Sequence, residues 1–296
     1  MPDVAPLDLL HGAERVIGVY LLETDEGPAL FDCGPTSCLP TLEQRLEERG
    51  LVLTELRHLL LSHIHLDHAG AAGALVREHP GLQVHVSGIG APHLVDPSRL
   101  ERSARRLYGD AFDTLWGELA PVPQENVRIV GDRAAGLDCF ATPGHASHHV
   151  SYLDAEGTLF AGDALGVRIQ PSRHIMPVSP PPDVDLEAWA RTLDEVEQRA
   201  PERLAPIHFG TIDDPREHIP RLREALARWA GRVRDGVSED EFVRTARAEL
   251  ERDEGGHSAY EHAAPLWQSY AGLRRYWDKR AEAEAGLSDS PSSPSR

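Results

Sequence analysis

The sequence contains little cysteine, no long apolar run and no excess of positive charge. Three cysteines in 296 residues do not make a disulfide framework. Cys33 and Cys38 could be neighbours in space, but buried free thiols are the better expectation. No window approaches the length of a membrane span. The first residues show neither a basic segment nor an apolar stretch, so no signal peptide is predicted and the expected location is cytoplasmic.

The acidic balance of the chain argues against two classes of partner. The formal net charge is −18, whereas binding to nucleic acid or to an anionic membrane surface requires a basic face. A local basic cluster does occur at Arg99, Arg102, Arg105 and Arg106. A solvated helix face is favoured for it over a phosphate or carboxylate clamp. We therefore expect a small-molecule substrate, with no nucleic acid and no membrane as partner.

The order of the predicted elements favours an α/β (α+β) fold with two sheets. With 296 residues, the chain is long enough for one large domain or two small ones. Predicted strands come in two groups, with helices between and after them. The first group is 15–22, 29–32, 59–61 and 84–86, and the second is 127–130, 137–142, 151–153, 158–161 and 203–207. Two mixed sheets covered by helices on their outer faces would accommodate this order.

Beyond residue 215 the pattern predicts helices alone. Helices are expected over 215–231, from a capping box at Ser238 to about residue 252, and over 258–280. The last of these carries an aromatic stripe, which is typical of a core or a dimer contact, so a homodimer is one expectation. We predict a metal-binding domain over 1–235, a helical extension packed on it over 236–281, and a disordered tail over 282–296.

Four potential metal ligands follow one predicted buried strand within six positions. They are His63, His65, Asp67 and His68, directly after the apolar run that ends at Leu61. His63 and His65 are two residues apart, so an extended backbone points both imidazoles the same way. Asp67 and His68 come one turn later and would face a different point. This spacing indicates two neighbouring metal ions on a strand-to-helix loop.

Three further candidate ligands each stand at the end of a predicted strand. They are His145 in Thr142-Pro143-Gly144-His145, Asp163 in Gly162-Asp163, and His208 in Pro206-Ile207-His208. A glycine lies close to each of them, which lets the backbone turn tightly around a ligand. Ligands delivered from strand ends can converge on a single cleft.

These motifs, in this order, resemble the metal-site motifs of the metallo-β-lactamase fold superfamily. The resemblance extends from residue 15 to about residue 210. It implies a four-layer αββα sandwich with the metal ions at one edge of the two sheets. We expect this chain to be a glyoxalase II-like or lactonase-like metallo-hydrolase. True β-lactamases of this fold commonly carry cysteine where Asp163 stands here.

The resemblance also implies a role for each ligand. One metal ion would be held by His63, His65 and His145. The second would be held by Asp67, His68 and His208. Asp163 would bridge both ions. Asp32 and His149 match positions whose side chains orient a ligand without binding the metal themselves.

The expected function is dinuclear hydrolysis of an ester, thioester or lactone. Two divalent ions are implied, with Zn²⁺ favoured and Fe²⁺ or Mn²⁺ left open. A water bridging them would have a lowered pKa and supply hydroxide, with Asp67 and Asp163 as catalytic carboxylates. Candidate proton donors to the leaving group, or pocket residues, are Tyr108, Arg168 and His174.

Two alternatives stay open. A mononuclear iron enzyme resembling persulfide dioxygenases would need only His63, His145 and Asp163 as ligands. A metal-binding protein without catalytic activity would keep the same ligand set.

Overall fold

Two β-sheets lie face to face in the computed structural model, which describes residues 4–252 and 257–288. The first sheet has the strand order β1-β2-β3-β4-β5-β6, antiparallel from β1 to β3 and parallel from β3 to β6. Its strands are β1 (Leu7–Asp8), β2 (Gly18–Thr24), β3 (Gly27–Phe31), β4 (His58–Leu60), β5 (Gln83–Val86) and β6 (Val127–Ile129).

The second sheet has the order β11-β10-β9-β8-β7. Its neighbours are antiparallel except for β10 and β11, which are parallel. Its strands are β7 (Arg133–Ala134), β8 (Leu137–Ala141), β9 (Val150–Leu153), β10 (Thr158–Phe160) and β11 (Arg203–Ala205). Both sheets are therefore mixed, as the sequence predicts, but the strand predicted over 127–130 pairs with β5 in the first sheet and does not join the second group.

Helices cover the outer face of each sheet. The helices are α1 (Leu39–Glu48), α2 (Leu66–Ala69), α3 (Ala72–Glu78), α4 (Ala91–Val95), α5 (Ser98–Tyr108), α6 (Phe112–Trp116), α7 (Leu186–Arg199), α8 (Pro215–Arg234), α9 (Glu239–Leu250), α10 (His257–Ala263) and α11 (Leu266–Ser288). Leu42 of α1 and Leu75 of α3 share a buried cluster with the first sheet. Trp189 of α7 and Leu222 of α8 pack with Leu159 of the second sheet. The predicted αββα sandwich is confirmed.

Aromatic residues fill the space between the two sheets. The ring of Phe31 in the first sheet lies 5.8 Å from that of Tyr152 and 5.5 Å from that of Phe160 in the second. The Tyr20 hydroxyl donates a hydrogen bond to the Pro206 carbonyl at 2.7 Å, and the Tyr152 hydroxyl donates one to the Leu61 carbonyl at 2.9 Å. Each fully buried aromatic side chain contributes roughly 1.5–3 kcal/mol. The two hydroxyl bonds fix the chain just before His63 and just before His208.

The C-terminal helices pack on α8 and on the chain that follows Asp163. Trp229 of α8, Phe242 of α9 and Leu273 of α11 share one buried cluster with Val167 and Met176. In addition, the hydroxyl of Tyr260 accepts a hydrogen bond from the Ile169 amide at 3.0 Å and donates one to the His174 carbonyl at 2.9 Å. These contacts tie α10 to a loop close to the candidate ligands. The domain division at residue 235 stays a prediction.

Several predicted helices are divided in two at a glycine or a proline. The apolar spacing over 97–116 predicts one helix, but the structure has two, α5 and α6, because the chain turns at Gly109 with a φ of 53°. The helix expected over 258–280 is α10 and α11, interrupted next to Pro265. The helix that follows the ligand loop is also two short helices, α2 and α3.

The predicted tail overlaps with helix α11. This helix continues to Ser288, because Ala and Glu alternate over 281–285 and both are strong helix formers. The remaining tail residues, 289–296, lie outside the described residues.

The three cysteines are buried and free, as expected. Among the described helices, none combines the length and the hydropathy that crossing a membrane would require.

Two buried histidines, His58 of β4 and His85 of β5, meet in the first sheet. Nδ1 of His58 lies 3.0 Å from Nε2 of His85. Burial lowers the pKa of His85 to about 4, and the nearby His58 and Arg128 act in the same direction. In the unfolded chain the same group titrates near 6.5. The unfolded state therefore binds a proton more readily than the folded state between these values.

We predict that acid removes up to about 3 kcal/mol of stability through His85. This contribution is present above pH 6.5 and falls as the pH drops towards 4. The loss of melting temperature between pH 7 and pH 4.5 should be smaller in the His85→Gln variant than in the wild type, measured by circular dichroism. His262→Gln, at an exposed histidine, is the control. Equal losses in wild type and His85→Gln would contradict this prediction.

Candidate metal centre

Four strand ends of the two sheets deliver the predicted ligands to one place. β4 runs into His63, β8 into His145, β10 into Asp163 and β11 into His208. Three groups of potential ligand atoms lie within 4.8 Å of one another in each group. They are His63, His65 and His145; His63, His68 and Asp163; and Asp67, His68 and His208. The seven residues that the sequence predicts as ligands are brought together.

The first group consists of imidazoles. Nδ1 of His65 lies 2.8 Å from Nε2 of His63 and 3.0 Å from Nε2 of His145. The other nitrogen of His145 donates to the Val178 carbonyl at 2.8 Å, which leaves Nε2 as the metal-binding atom. Likewise, Nδ1 of His63 lies 3.0 Å from the hydroxyl of Ser62. Three imidazole nitrogens therefore converge on one point.

The group of Asp67, His68 and His208 combines a carboxylate with two imidazoles. Oδ2 of Asp67 lies 3.3 Å from Nε2 of His208 and 3.7 Å from Nε2 of His68. Both Nε2 atoms are buried and have no hydrogen-bond partner among the described residues. A buried polar atom without a partner is costly, and a cation between these atoms would remove the cost.

Asp163 stands between two of these groups. One is His63, His65 and His145, and the other is Asp67, His68 and His208. Its Oδ2 lies 3.5 Å from Nε2 of His145, while its Oδ1 lies 3.5 Å from Nε2 of His68 and 3.6 Å from Nε2 of His208. Oδ1 is buried and also lacks a hydrogen-bond partner among the described residues. The two oxygens of one carboxylate thus face different sets of imidazoles. This donor set fits two divalent ions.

Asp32 holds His68 in place from the side away from the cluster. Nδ1 of His68 donates to Oδ2 of Asp32 at 2.8 Å. Ser62 donates to the same carboxylate twice, from its amide at 2.7 Å and from its hydroxyl at 2.8 Å. Nδ1 of His208 is fixed in a similar way by the Val16 carbonyl. These bonds leave Nε2 of each ring directed at the cluster.

His149 holds the backbone of Asp163. Its Nε2 accepts a hydrogen bond from the Asp163 amide at 3.2 Å, so in the neutral ring Nδ1 carries the proton. Nδ1 lies 2.8 Å from the hydroxyl of Thr142, to which it can donate. His149 is therefore placed to orient Asp163, in line with its predicted role beside the ligands.

Gly162 leaves the space that this arrangement needs. Its φ is 46°, and a Cβ atom there would lie 2.5 Å from the Ser62 hydroxyl and 2.8 Å from Nε2 of His149. Any side chain at this position would collide with Ser62 and with His149, whose ring holds the Asp163 amide.

The electrostatics of the cluster keep some imidazoles neutral and protonate another. Burial lowers the pKa of His63 and His65 well below the ordinary value, and neighbouring histidines act in the same direction. Burial also acts to lower the pKa of His68, but the carboxylates of Asp67, Asp163 and Asp32 outweigh it and hold that pKa well above the ordinary value.

The two carboxylates show the reciprocal effect. Burial acts to raise the pKa of Asp67 and Asp163, yet the charge on His68 and His208 holds both below the ordinary value. Both side chains are therefore ionised near neutral pH. The proton on His68 compensates the negative charge of these carboxylates. A bound cation would compensate the same charge in its place.

The three predicted pocket residues occupy different surroundings. Burial raises the pKa of Tyr108 to about 12, against the hydrogen bond from Gln268, which acts to lower it. The guanidinium of Arg168 donates to Asp214 at 2.8 Å. His174 packs on Tyr260, with 5.7 Å between ring centroids. Their parts in substrate binding or proton transfer stay predictions.

Two residues near the cluster have no assignment from the sequence. Ser62 links Asp32 to the ligand loop, and its position directly before His63 is the signal that could have revealed it. His148 is buried; its ring stacks on that of His63 at 5.9 Å and meets that of His65 edge-on at 5.7 Å. Its position three residues after His145 and directly before His149 is the signal that could have revealed it.

Comparison with known proteins agrees with this geometry. In sequence, the chain is 25% identical over 219 residues to metallo-beta-lactamase fold-containing protein ST1585 of Sulfurisphaera tokodaii, covering 70% of this chain and 79% of that protein. The crystal structure of ST1585 superposes with a TM-score of 0.62 at 20% identity, over 88% of this chain and 93% of that one. At that identity, the structural likeness concerns the fold alone.

Two further relatives have names that describe chemistry. A hydroxyacylglutathione hydrolase of Chromohalobacter salexigens is 28% identical over 149 residues, which is 50% of this chain and 47% of that protein. The crystal structure of TTHA1623 in a di-iron-bound form is 26% identical, with a TM-score of 0.51, over 72% of this chain and 92% of that one.

The family model for the metallo-beta-lactamase superfamily matches residues 14–208, more than half of the chain. This match covers the strands and loops that deliver all seven residues of the cluster. The chain therefore belongs to the metallo-beta-lactamase superfamily.

Proposed function

We propose that this chain is a dinuclear metal-dependent hydrolase that cleaves an ester, thioester or lactone. The observation that carries the proposal is the position of Asp163, whose two oxygens face two different groups of imidazoles at 3.5–3.6 Å. A single metal ion would not require the two oxygens of Asp163 to face different imidazoles. The name of the hydroxyacylglutathione hydrolase relative and the di-iron form of TTHA1623 support the same proposal.

His63, His65 and His145 would hold one ion, and Asp67, His68 and His208 the other, with Asp163 between them. When bound, two such ions supply Lewis acidity and lower the pKa of a coordinated water towards neutrality. Zn²⁺ is favoured, and Fe²⁺ or Mn²⁺ would suit the same ligands.

We assign to Asp67 the role of orienting the attacking water. Its side chain keeps 19% of its surface exposed, whereas that of Asp163 keeps 3%. Because its pKa is held below the ordinary value, the Asp67 carboxylate is a weak base. It would accept a hydrogen bond from the water and align it rather than remove its proton.

We assign Tyr108 to the other side of the reaction, where the substrate oxygen gains negative charge. Its hydroxyl already accepts a hydrogen bond from Nε2 of Gln268 at 3.0 Å. With its pKa raised to about 12, it keeps its own proton across the usual pH range. It would therefore donate a hydrogen bond to the substrate oxygen that gains negative charge.

The mononuclear iron alternative leaves part of the site unexplained. It would use His63, His145 and Asp163, and the Nε2 atoms of His68 and His208 would stay buried without partners among the described residues.

We predict no oxygen consumption when a persulfide is offered to the purified protein in an oxygen electrode. Oxygen uptake together with one iron per chain would select the alternative instead.

Removal of Asp163 should abolish metal binding and hydrolysis together. In the Asp163→Ala variant we expect fewer ions per chain by plasma mass spectrometry and a loss of about 100-fold or more in turnover of an ester, thioester and lactone panel. Asp138→Ala, at an exposed aspartate of β8, should match the wild type in both measurements. Undiminished turnover by a variant that has lost its metal would contradict the proposal.

Asp32→Asn should affect the second ion alone. An asparagine has one acceptor oxygen, so it cannot accept hydrogen bonds from both the Ser62 amide and Nδ1 of His68, and affinity for that ion should fall roughly 10- to 100-fold. Competition with a chromogenic chelator should show one tight and one weakened site. Asp154→Asn, where the aspartate accepts a backbone hydrogen bond from Thr158 at 2.7 Å, is the matched control. Equal weakening of both sites, or of neither, would refute this role.

A further inference from the structure

The C-terminal helix α11 contacts a proline-rich segment, residues 177–182, and this segment holds one of the candidate ligands. We propose that α11 positions His145, and with it the metal ion that His145 would bind. Ser269 and Gly272 of α11 are the positioning residues. This role rests on the proposed dinuclear site and gives a part in it to a helix that carries none of the candidate ligands.

The proline-rich segment has few groups with which to hold itself in place. Its sequence is Pro177-Val178-Ser179-Pro180-Pro181-Pro182, so four of its six residues have no backbone N–H. Such a segment cannot pair with a β-strand along its length, and it belongs to neither sheet. Its position therefore depends on partners from other elements of the fold.

The segment in turn fixes the ring of His145. Nδ1 of His145 donates to the Val178 carbonyl at 2.8 Å, which directs Nε2 at the cluster. The ring of Trp189 meets the His145 ring edge-on at 6.1 Å, but its indole N–H donates elsewhere, to the Ala164 carbonyl at 2.7 Å. The Val178 carbonyl is therefore the group that sets which nitrogen of His145 faces the metal. A displaced carbonyl would turn the ring or release it.

Ser269 binds the backbone on both sides of Val178. Its hydroxyl accepts a hydrogen bond from the Ser179 amide at 3.2 Å and donates one to the Pro177 carbonyl at 3.4 Å. Ser269 and Ser179 are both buried, so water does not compete for these groups. Because the two bonds flank Val178, they fix the direction of its carbonyl.

Two further residues of α11 face the same segment. A Cβ atom at Gly272 would overlap the Ser179 carbonyl oxygen and lie 2.8 Å from the carbonyl carbon of Pro180. The side chain of Leu273 shares a buried cluster with that of Val178. Residues 269, 272 and 273 are spaced at i, i+3 and i+4, which places them on one face of the helix. Hydrogen bonds, close backbone contact and apolar packing thus all join this face to the segment.

The test compares two α11 variants with matched controls. Ser269→Ala removes both hydrogen bonds, and Gly272→Ala forces the segment away from the helix. In each variant we expect the affinity for one ion to fall about tenfold and that for the other to stay unchanged, measured by competition with a chromogenic chelator. Ser103→Ala, at an exposed serine of α5, and Gly231→Ala, where a Cβ atom meets nothing within 4 Å, should bind both ions as the wild type does.

Anomalous diffraction identifies the weakened ion. Crystals of Ser269→Ala grown with limiting zinc should lose most of the peak beside His145 and keep the peak beside His208. Melting curves check that each variant is folded, and a general loosening of the fold would lower the affinity for both ions alike. Equal weakening of both ions, unchanged affinities in either variant, or loss of the peak beside His208 instead would overturn the proposal.

The same measurements separate this positioning role from the proposed function. Selective loss of one ion in the variants, with a wild type that hydrolyses no ester, thioester or lactone, would support the positioning role and contradict the proposed function. Hydrolysis by the wild type together with unchanged ion affinities in the variants would overturn the positioning role and leave the proposed function standing.

Discussion

The carboxylate of Asp163 is buried among histidines, and the rest of the site depends on keeping it there. A buried charge must be compensated, and Asp163 finds compensation on two sides, from His145 through one oxygen and from His68 and His208 through the other. His149 fixes its backbone, and the absence of a side chain at Gly162 allows the close approach. The division of the ligands into two groups follows from this one placement.

The two sheets supply the rigidity that this placement requires. The tyrosine hydroxyls that cross between them, from Tyr20 to Pro206 and from Tyr152 to Leu61, hold the two ligand-bearing loops at the same edge. Convergent imidazoles and carboxylates cost stability while they are not bound to cations, because buried polar atoms are left without partners. Metal binding would recover that free energy, which couples occupancy of the site to the stability of the whole fold.

Much of the site could be predicted because its ligands follow strand ends in the sequence. The apolar run before His63 and the turn residues before His145 and Asp163 mark these ends without any knowledge of the tertiary structure. The fold class followed from the two groups of strands, and the resemblance of the motifs identified the superfamily. The residues that hydrogen-bond to the candidate ligands were harder to predict. Val16, Val178 and Ser62 act largely through backbone atoms or a small hydroxyl, which carry no distinctive sequence signal.

The helices were predicted less well than the ligands. Gly109 and Pro265 each interrupt a pattern that is otherwise periodic, and the apolar spacing alone does not reveal the break. Contacts between distant segments were also out of reach. The bond between Tyr108 and Gln268 joins residues 160 positions apart, so the link between the C-terminal helices and α5 exists only in the folded chain.

The central claim is that Asp163 joins two metal ions. Anomalous diffraction from crystals of the protein, purified without added metal, tests it most directly. The account predicts two peaks per chain, one among His63, His65 and His145 and the other among Asp67, His68 and His208, with one oxygen of Asp163 facing each. A single peak, or two peaks with both oxygens of Asp163 turned to the same ion, would contradict it.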